Sequence, residues 1–291
     1  MKSLKNIIVA ALLGLGLFSC NPLKQLQTEQ LGAENQYAQG NFAVAYEKYS
    51  SLIEKYQQAN LEVPYSFYVN AAISASKLSN YENAIKNYNF ALIDSVTLNS
   101  VKGLIDATEN TSGNNLSTVL NKYADYLKAN GAAEYYNTKV FDNEVRNGNQ
   151  DNIVSSFANL SKPTESQSMV YINALETLGK KKDAIQFCSD LVKENPDYYK
   201  AREYKAMYYY DFAENWYKNE MAKYNKDKNY TAYVYLKREL KKVSANFRIA
   251  KDEFEVLHKQ YPDEKKYVRY LKNTYIRLDM KKEAAELDKL L

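Results

Sequence analysis

The stretch Ser79-Asn80-Tyr81-Glu82-Asn83-Ala84-Ile85-Lys86-Asn87-Tyr88 decides the fold. A turn residue and a polar residue lead into a short side chain, Ala84, with a bulky one, Tyr88, four positions later. The same order recurs in Gly40-Asn41-Phe42-Ala43-Val44-Ala45-Tyr46-Glu47-Lys48-Tyr49 and in Gly179-Lys180-Lys181-Lys182-Asp183-Ala184-Ile185-Gln186-Phe187-Cys188. Its phase returns at Ala250 with Phe254, Leu257 and Pro262, and at Ala284 with Leu287 and Leu291. In each case a Gly or a polar residue punctuates apolar stripes spaced i, i+3, i+4 and i+7, the spacing of amphipathic helices. An alanine at a fixed place in such a stripe lets two helix backbones approach closely.

The alanines fall at 45, 84, 184, 250 and 284, so the intervals are 39, 100, 66 and 34 residues, the larger ones near whole multiples of 34. This pattern resembles the tetratricopeptide repeat (TPR), a helical hairpin of about 34 residues with a small residue at the helix crossing and a closing proline. The long gap accommodates two degenerate units, Gly113 to Leu127 with Val119 at the crossing and Gly148 to Leu160 with Ile153 there. The resemblance implies an all-α, right-handed solenoid of about seven helical hairpins over residues 28–291, each packing mainly on its neighbours.

One hairpin is expected to be longer than the rest. From Tyr198 to Tyr261 the apolar spacing runs through Tyr204, Tyr208, Phe212 and Trp216, then through Tyr233, Leu236, Leu240, Val243, Phe247 and Phe254. Only Lys223 to Asn229 reads as a loop. Two helices of about 25 and 30 residues would extend roughly 20 Å beyond an ordinary repeat at ~1.5 Å per residue. The outer part carries Trp216, Tyr217, Tyr224, Tyr230, Tyr233 and Tyr235. These rings either zip the two helices together or form a protein-contact knob, since Tyr and Trp dominate interface hot spots.

In the last unit Lys266, Arg269, Asn273 and Arg277 share one face of a helix placed at Tyr267 to Leu278. Members of the TPR family clamp a peptide carboxylate on that face with Lys, Asn and Arg from successive repeats. Arg269 and Asn273 stand where such a clamp would begin, and no later repeat follows to complete it. The face is therefore read either as solvated charge or as a basic patch for an acidic partner loop.

Composition excludes other classes. Thirty-nine Lys and Arg against 35 Asp and Glu give a net charge of +4, too small for a dedicated nucleic-acid binder. Two cysteines and one histidine do not make a disulfide scaffold or a His-based metal cluster, and no cofactor is expected. His258 has the phase of a packing residue, Cys188 that of a small core hydrophobe, and Glu283 with Glu286 that of a solvent face. No phosphate loop, dinucleotide fingerprint, nucleophile elbow or zincin motif occurs, so no catalytic residue is assigned and no enzyme is expected.

Residues 1–19 read as a signal peptide, with Lys2 and Lys5 before an apolar run from Ile7 to Leu17 that is too short to span a bilayer. Leu17-Phe18-Ser19-Cys20 resembles the lipobox of bacterial lipoproteins, which implies cleavage before Cys20 and its acylation. Three acyl chains would hold the protein at a membrane without a transmembrane helix. Residues 20–27 would form a polar, lipidated tether. The Tyr-, Asn- and Lys-rich style is similar to Bacteroidetes lipoproteins, whose surface export goes with acidic residues just after the cysteine. Here the first acid is Glu29, which favours the outer membrane facing the periplasm. Asp94-Ser95-Val96 resembles the short O-glycosylation sequon of Bacteroidetes envelope proteins, making Ser95 a candidate for modification. The expectation is a lipid-anchored, non-enzymatic scaffold within an envelope assembly or secretion complex, with protein partners and no small-molecule ligand. The alternative is a lipoprotein that captures a glycan or peptide for an outer-membrane transporter.

Overall fold

The computed structural model describes residues 22–111 and 115–291. The signal peptide, Cys20 and Gly113 lie outside the described residues. Among the described residues are fourteen helices and no strand: α1 (Pro22–Ala38), α2 (Phe42–Gln58), α3 (Tyr65–Lys77), α4 (Tyr81–Asp94), α5 (Leu98–Glu109), α6 (Leu116–Ala129), α7 (Ala133–Asn147), α8 (Gln150–Phe157), α9 (Glu165–Thr177), α10 (Lys181–Glu194), α11 (Tyr199–Lys226), α12 (Tyr230–Gln260), α13 (Lys265–Arg277) and α14 (Lys281–Asp288). Six consecutive pairs pack as hairpins, α1–α2, α3–α4, α5–α6, α9–α10, α11–α12 and α13–α14, and the fold class is an all-α solenoid of TPR-like hairpins. The helices gather into two compact units, one ending at Asn143 and one beginning at Glu144. In the first unit α3 also touches α5, and in the second α9 touches α11, so first helices of successive hairpins stack on one another.

The turns explain why the hairpins form where they do. Gly40 and Gly179 hold φ of 76° and 73°, the left-handed conformation that ends a helix without a Cβ penalty. Ser79 and Asp279 take the same conformation at φ 58°. In all four turns the next amide reaches back to close the helix, as in Asn80 N to Ala75 O at 2.9 Å and Lys180 N to Leu175 O at 2.8 Å. The second helix then starts in a constant register. The amides of Ala45, Ala84, Val119, Ile153, Ala184 and Ala284 each donate to the carbonyl four residues earlier, that of the residue just before the helix.

That register builds the core. Ala45, Ala84, Ala184 and Ala250 are fully buried, and the bulky residue four later is buried each time: Tyr49, Tyr88, Cys188 and Phe254. The degenerate units keep the rule with Ile153 and Phe157, and with Tyr123 after Val119. Val119 itself is only half-buried, and Leu116 and Leu120 to either side of it fill the interior. A β-branched side chain holds the crossing open where alanine would close it, and the neighbouring leucines take up the space.

Two boundaries differ from expectation. The stretch expected to be a tether is helical from Pro22, because proline is preorganised for the first helical position and Leu26 packs into the first unit's core. The expected loop at Lys223 to Asn229 shrinks to Asp227–Asn229. Lysine is a good helix former, and Lys223 pairs with Glu220 at 2.6 Å while the Tyr224 ring meets Tyr233, so the last turn of α11 holds. With 28 and 31 residues, α11 and α12 are the longest helices described. The crossing alanine, Ala250, lies twenty residues into α12, whereas Ala184 lies three residues into α10.

Candidate functional site

The long hairpin is braced at its base by charges that periodicity alone does not reveal. Glu253 of α12 is buried and receives Lys205 Nζ at 2.7 Å together with the Arg202 guanidinium, both from α11. Further out, Arg277 of α13 donates two hydrogen bonds to Glu214 of α11, at 2.8 and 2.7 Å, and its guanidinium lies 4.1 Å from the centre of the Tyr217 ring. Lys266 of α13 reaches Glu203 of α11 at 2.5 Å. Burial is the largest single influence on the Glu214 carboxyl and would raise it, but the hydrogen bonds and charges of Arg277 and Lys218 together hold the pKa below the usual carboxylate range. The pair fixes α11 against α13 in a planar, two-pronged geometry that lysine could not reproduce.

The structure brings Lys266, Arg269 and Asn273 together in a groove of about 670 Å³ between α11 and α13. Arg277, expected on the same face, turns to Glu214, and Lys266 is engaged by Glu203. Arg269 is exposed and makes no ion pair among the described residues, so it is a cation of this groove open to a partner. Asn273 and Tyr210 line the same groove.

A larger groove of about 890 Å³ lies where the α9–α10 turn faces α11. Along it runs a row of rings at four-residue spacing, Tyr204 to Tyr208 at 6.5 Å and Tyr208 to Phe212 at 6.3 Å with planes 2° apart, and beyond the groove the row continues from Phe212 to Trp216 at 5.7 Å. Phe212 is 47 % exposed, and Lys181, Asp211 and Asn215 add polar groups. Burial lifts the Asp211 carboxyl above its usual range. Burial and the nearby Glu176 carboxylate raise the Tyr204 phenol well above the usual tyrosine value.

The rings of the outer hairpin divide into three groups. Trp216 and Tyr217 pack against Ala213, Val243 and Phe247 near the base. Tyr224 and Tyr233 meet across the hairpin at 6.3 Å. Tyr230, Tyr233 and Tyr235 stand 82 %, 46 % and 43 % exposed, with Val234 among them at 50 %.

The remaining candidates are dispersed. Cys188 donates its S–H to Ala201 O at 2.9 Å, and burial pushes its thiol up to about 12, so it is protonated at neutral pH. His258 carries a buried Nδ1 with no hydrogen-bond partner among the described atoms. Among the described residues no group of three His, Cys, Asp or Glu could hold a metal ion, and no helix is long and apolar enough to cross a membrane. Ser95 is exposed in the turn after α4.

No family model and no curated protein matches the chain. Among solved structures it is similar to the C-terminal part of a TPR repeat-containing protein of Cytophaga hutchinsonii, at 13 % identity, 88 % of this chain, 97 % of that one and a TM-score of 0.46. A tetratricopeptide repeat protein of Parabacteroides merdae is similar at 13 % identity, covering 86 % and 99 %, with a TM-score of 0.43. A TPR repeats protein of Bacteroides fragilis is similar at 17 % identity, covering 87 % and 97 %, with a TM-score of 0.35.

Proposed function

We propose that this chain is a non-enzymatic protein–protein interaction scaffold, a lipid-anchored accessory subunit of an outer-membrane or envelope assembly or secretion complex. Cleavage before Cys20 and acylation of its thiol would hold it at the periplasmic face of the outer membrane. The observation that carries the scaffold reading is the braced hairpin. Four ion pairs fix α11 against α12 and α13, and the two grooves beside it remain open and offer Phe212 and Arg269 to a partner. Preorganised surfaces of this kind lose little entropy when they bind. Affinity purification from native membranes tests the reading by comparing the wild type with the double variant Phe212→Ser/Arg269→Glu. Barrel or secretion proteins should co-purify with the wild type and be lost from the variant; equal recovery would contradict the groove assignment. For the anchor, Cys20→Ala should move the protein out of the membrane fraction, and retention there would contradict it.

A second reading, capture of a glycan or peptide, is favoured by the ring row in the larger groove, since sugar and peptide ligands stack on aromatic faces. Calorimetry of residues 21–291 with oligosaccharides separates the two. Micromolar binding lost in Tyr208→Ala would favour capture.

A further inference from the structure

The apex of the long hairpin has a surface chemistry unlike the rest of the chain. Residues 218–242 hold eight Lys and Arg against three Asp and Glu, an excess of five in a chain whose net charge is +4. Two of the three acids, Glu220 and Glu239, are 4 % and 5 % exposed and lie inward. They receive Lys223, Lys242 and Arg238 from the hairpin itself. Lys226, Lys228 and Lys241 make no ion pair among the described residues. Lys237 lies over the ring of Tyr233 at 5.9 Å, and Arg238, besides pairing with Glu239, lies over that of Tyr235 at 4.9 Å. The outward face of the apex is therefore cationic throughout, apart from Asp227 in the loop.

The apolar groups are placed just as distinctively. Tyr230, Tyr233, Val234 and Tyr235 fall within the first two turns of α12, directly after the loop, and all are exposed. The last contact with a third helix is at Tyr217 and Glu214. From Tyr217 to Lys226, the end of α11, the hairpin runs on for about 14 Å at ~1.5 Å per residue. The ion pairs and ring contacts made by residues 218–242 all remain inside the hairpin.

We propose that this apex docks on an anionic lipid surface, with the Tyr230, Tyr233 and Tyr235 rings at headgroup depth and the surrounding lysines on lipid phosphates. Tyrosine rings belong at membrane–water interfaces, where one edge is apolar and the hydroxyl stays wet. Basic residues set beside such rings add attraction to anionic headgroups. A helical-hairpin apex is convex and presents its rings outward, which suits insertion into a layer; an acidic protein loop would be better held by a concave surface. The proposal stands apart from the anchor and from the scaffold reading, and it can fail while both hold.

The test is co-sedimentation of residues 21–291, which contain every described helix, with vesicles of phosphatidylethanolamine and phosphatidylglycerol at 3:1, and with phosphatidylcholine vesicles as the neutral comparison. Binding to the anionic vesicles is expected, weakening as salt rises. Lys237→Ala/Lys241→Ala should cost about fivefold in affinity per lysine removed, and Tyr230→Ser/Tyr235→Ser should also weaken binding. All four positions are exposed, so the melting temperature of each variant should match the wild type and confirm folding. Absence of binding to anionic vesicles would overturn the proposal, as would binding that the apex changes leave untouched. Crosslinking from position 230 to an acidic protein, with no vesicle binding, would also overturn it.

Discussion

At the scale of single residues the fold depends on a few short side chains. Ala184 is fully buried where α10 crosses its neighbours. Ala184→Arg forces a long charged chain into that crossing and is expected to cost roughly 3–5 kcal/mol, read as a large drop in melting temperature. Gly103 is a subtler case. A Cβ there would stand 2.3 Å from Tyr88 Cζ and 2.4 Å from its hydroxyl oxygen, so Gly103→Ala is expected to destabilise by about 1–3 kcal/mol although alanine is the better helix former. Ser79 shows the opposite sign: held at φ 58°, it should gain about 1 kcal/mol on replacement by glycine, measurable by urea unfolding. The crossing alanines are legible in the sequence because smallness at a fixed offset from a turn has one structural meaning. Gly103 is not, because its reason is a ring fifteen residues away on another helix.

At the scale of elements the long hairpin combines what could and could not be read. Leu236, Val243, Phe247 and Phe254 repeat on one face, so a helix of about 30 residues is visible in the sequence. Its end is less visible: Lys223 and Asn225 look like loop residues, while side-chain contacts inside the hairpin carry the helix to Lys226. The brace is invisible, since Arg277 and Glu214 are 63 residues apart and Arg202 and Glu253 are 51 apart. Removing Glu253 as Glu253→Ala leaves two cations without their carboxylate and is expected to destabilise by roughly 3–5 kcal/mol. Glu214 has a folded pKa depressed below its unfolded value. Its stabilisation is therefore complete above the unfolded carboxylate range and is lost as pH falls through the folded value. Glu214→Gln should lower stability by about 1–3 kcal/mol at pH 7. In chemical unfolding that difference should shrink as pH falls below the usual carboxylate range; a constant difference across the range would contradict the pairing.

At the scale of the molecule the repeat register runs through both compact units, from Ala45 to Ala284. It supplies stacked hairpins, and the exceptional hairpin supplies the candidate contact surfaces. Charge patterning on α13 was legible as a shared face, but a single sequence shows only that Lys266, Arg269, Asn273 and Arg277 align. Which of them is free depends on Glu203 and Glu214 of another helix. The ring row from Tyr204 to Phe212 was likewise visible as helical spacing, while its exposure in a groove depends on where the α9–α10 turn lies. The central claim is that this groove grips a protein. The direct measurement is photo-crosslinking in native cells from a benzophenone amino acid at position 212, followed by mass spectrometry of the adducts. Adducts with outer-membrane barrel or secretion proteins, reduced when Tyr208→Ala is combined, are the expected result. A position 212 that yields no protein adduct, in cells where the chain is folded and abundant, would contradict the account.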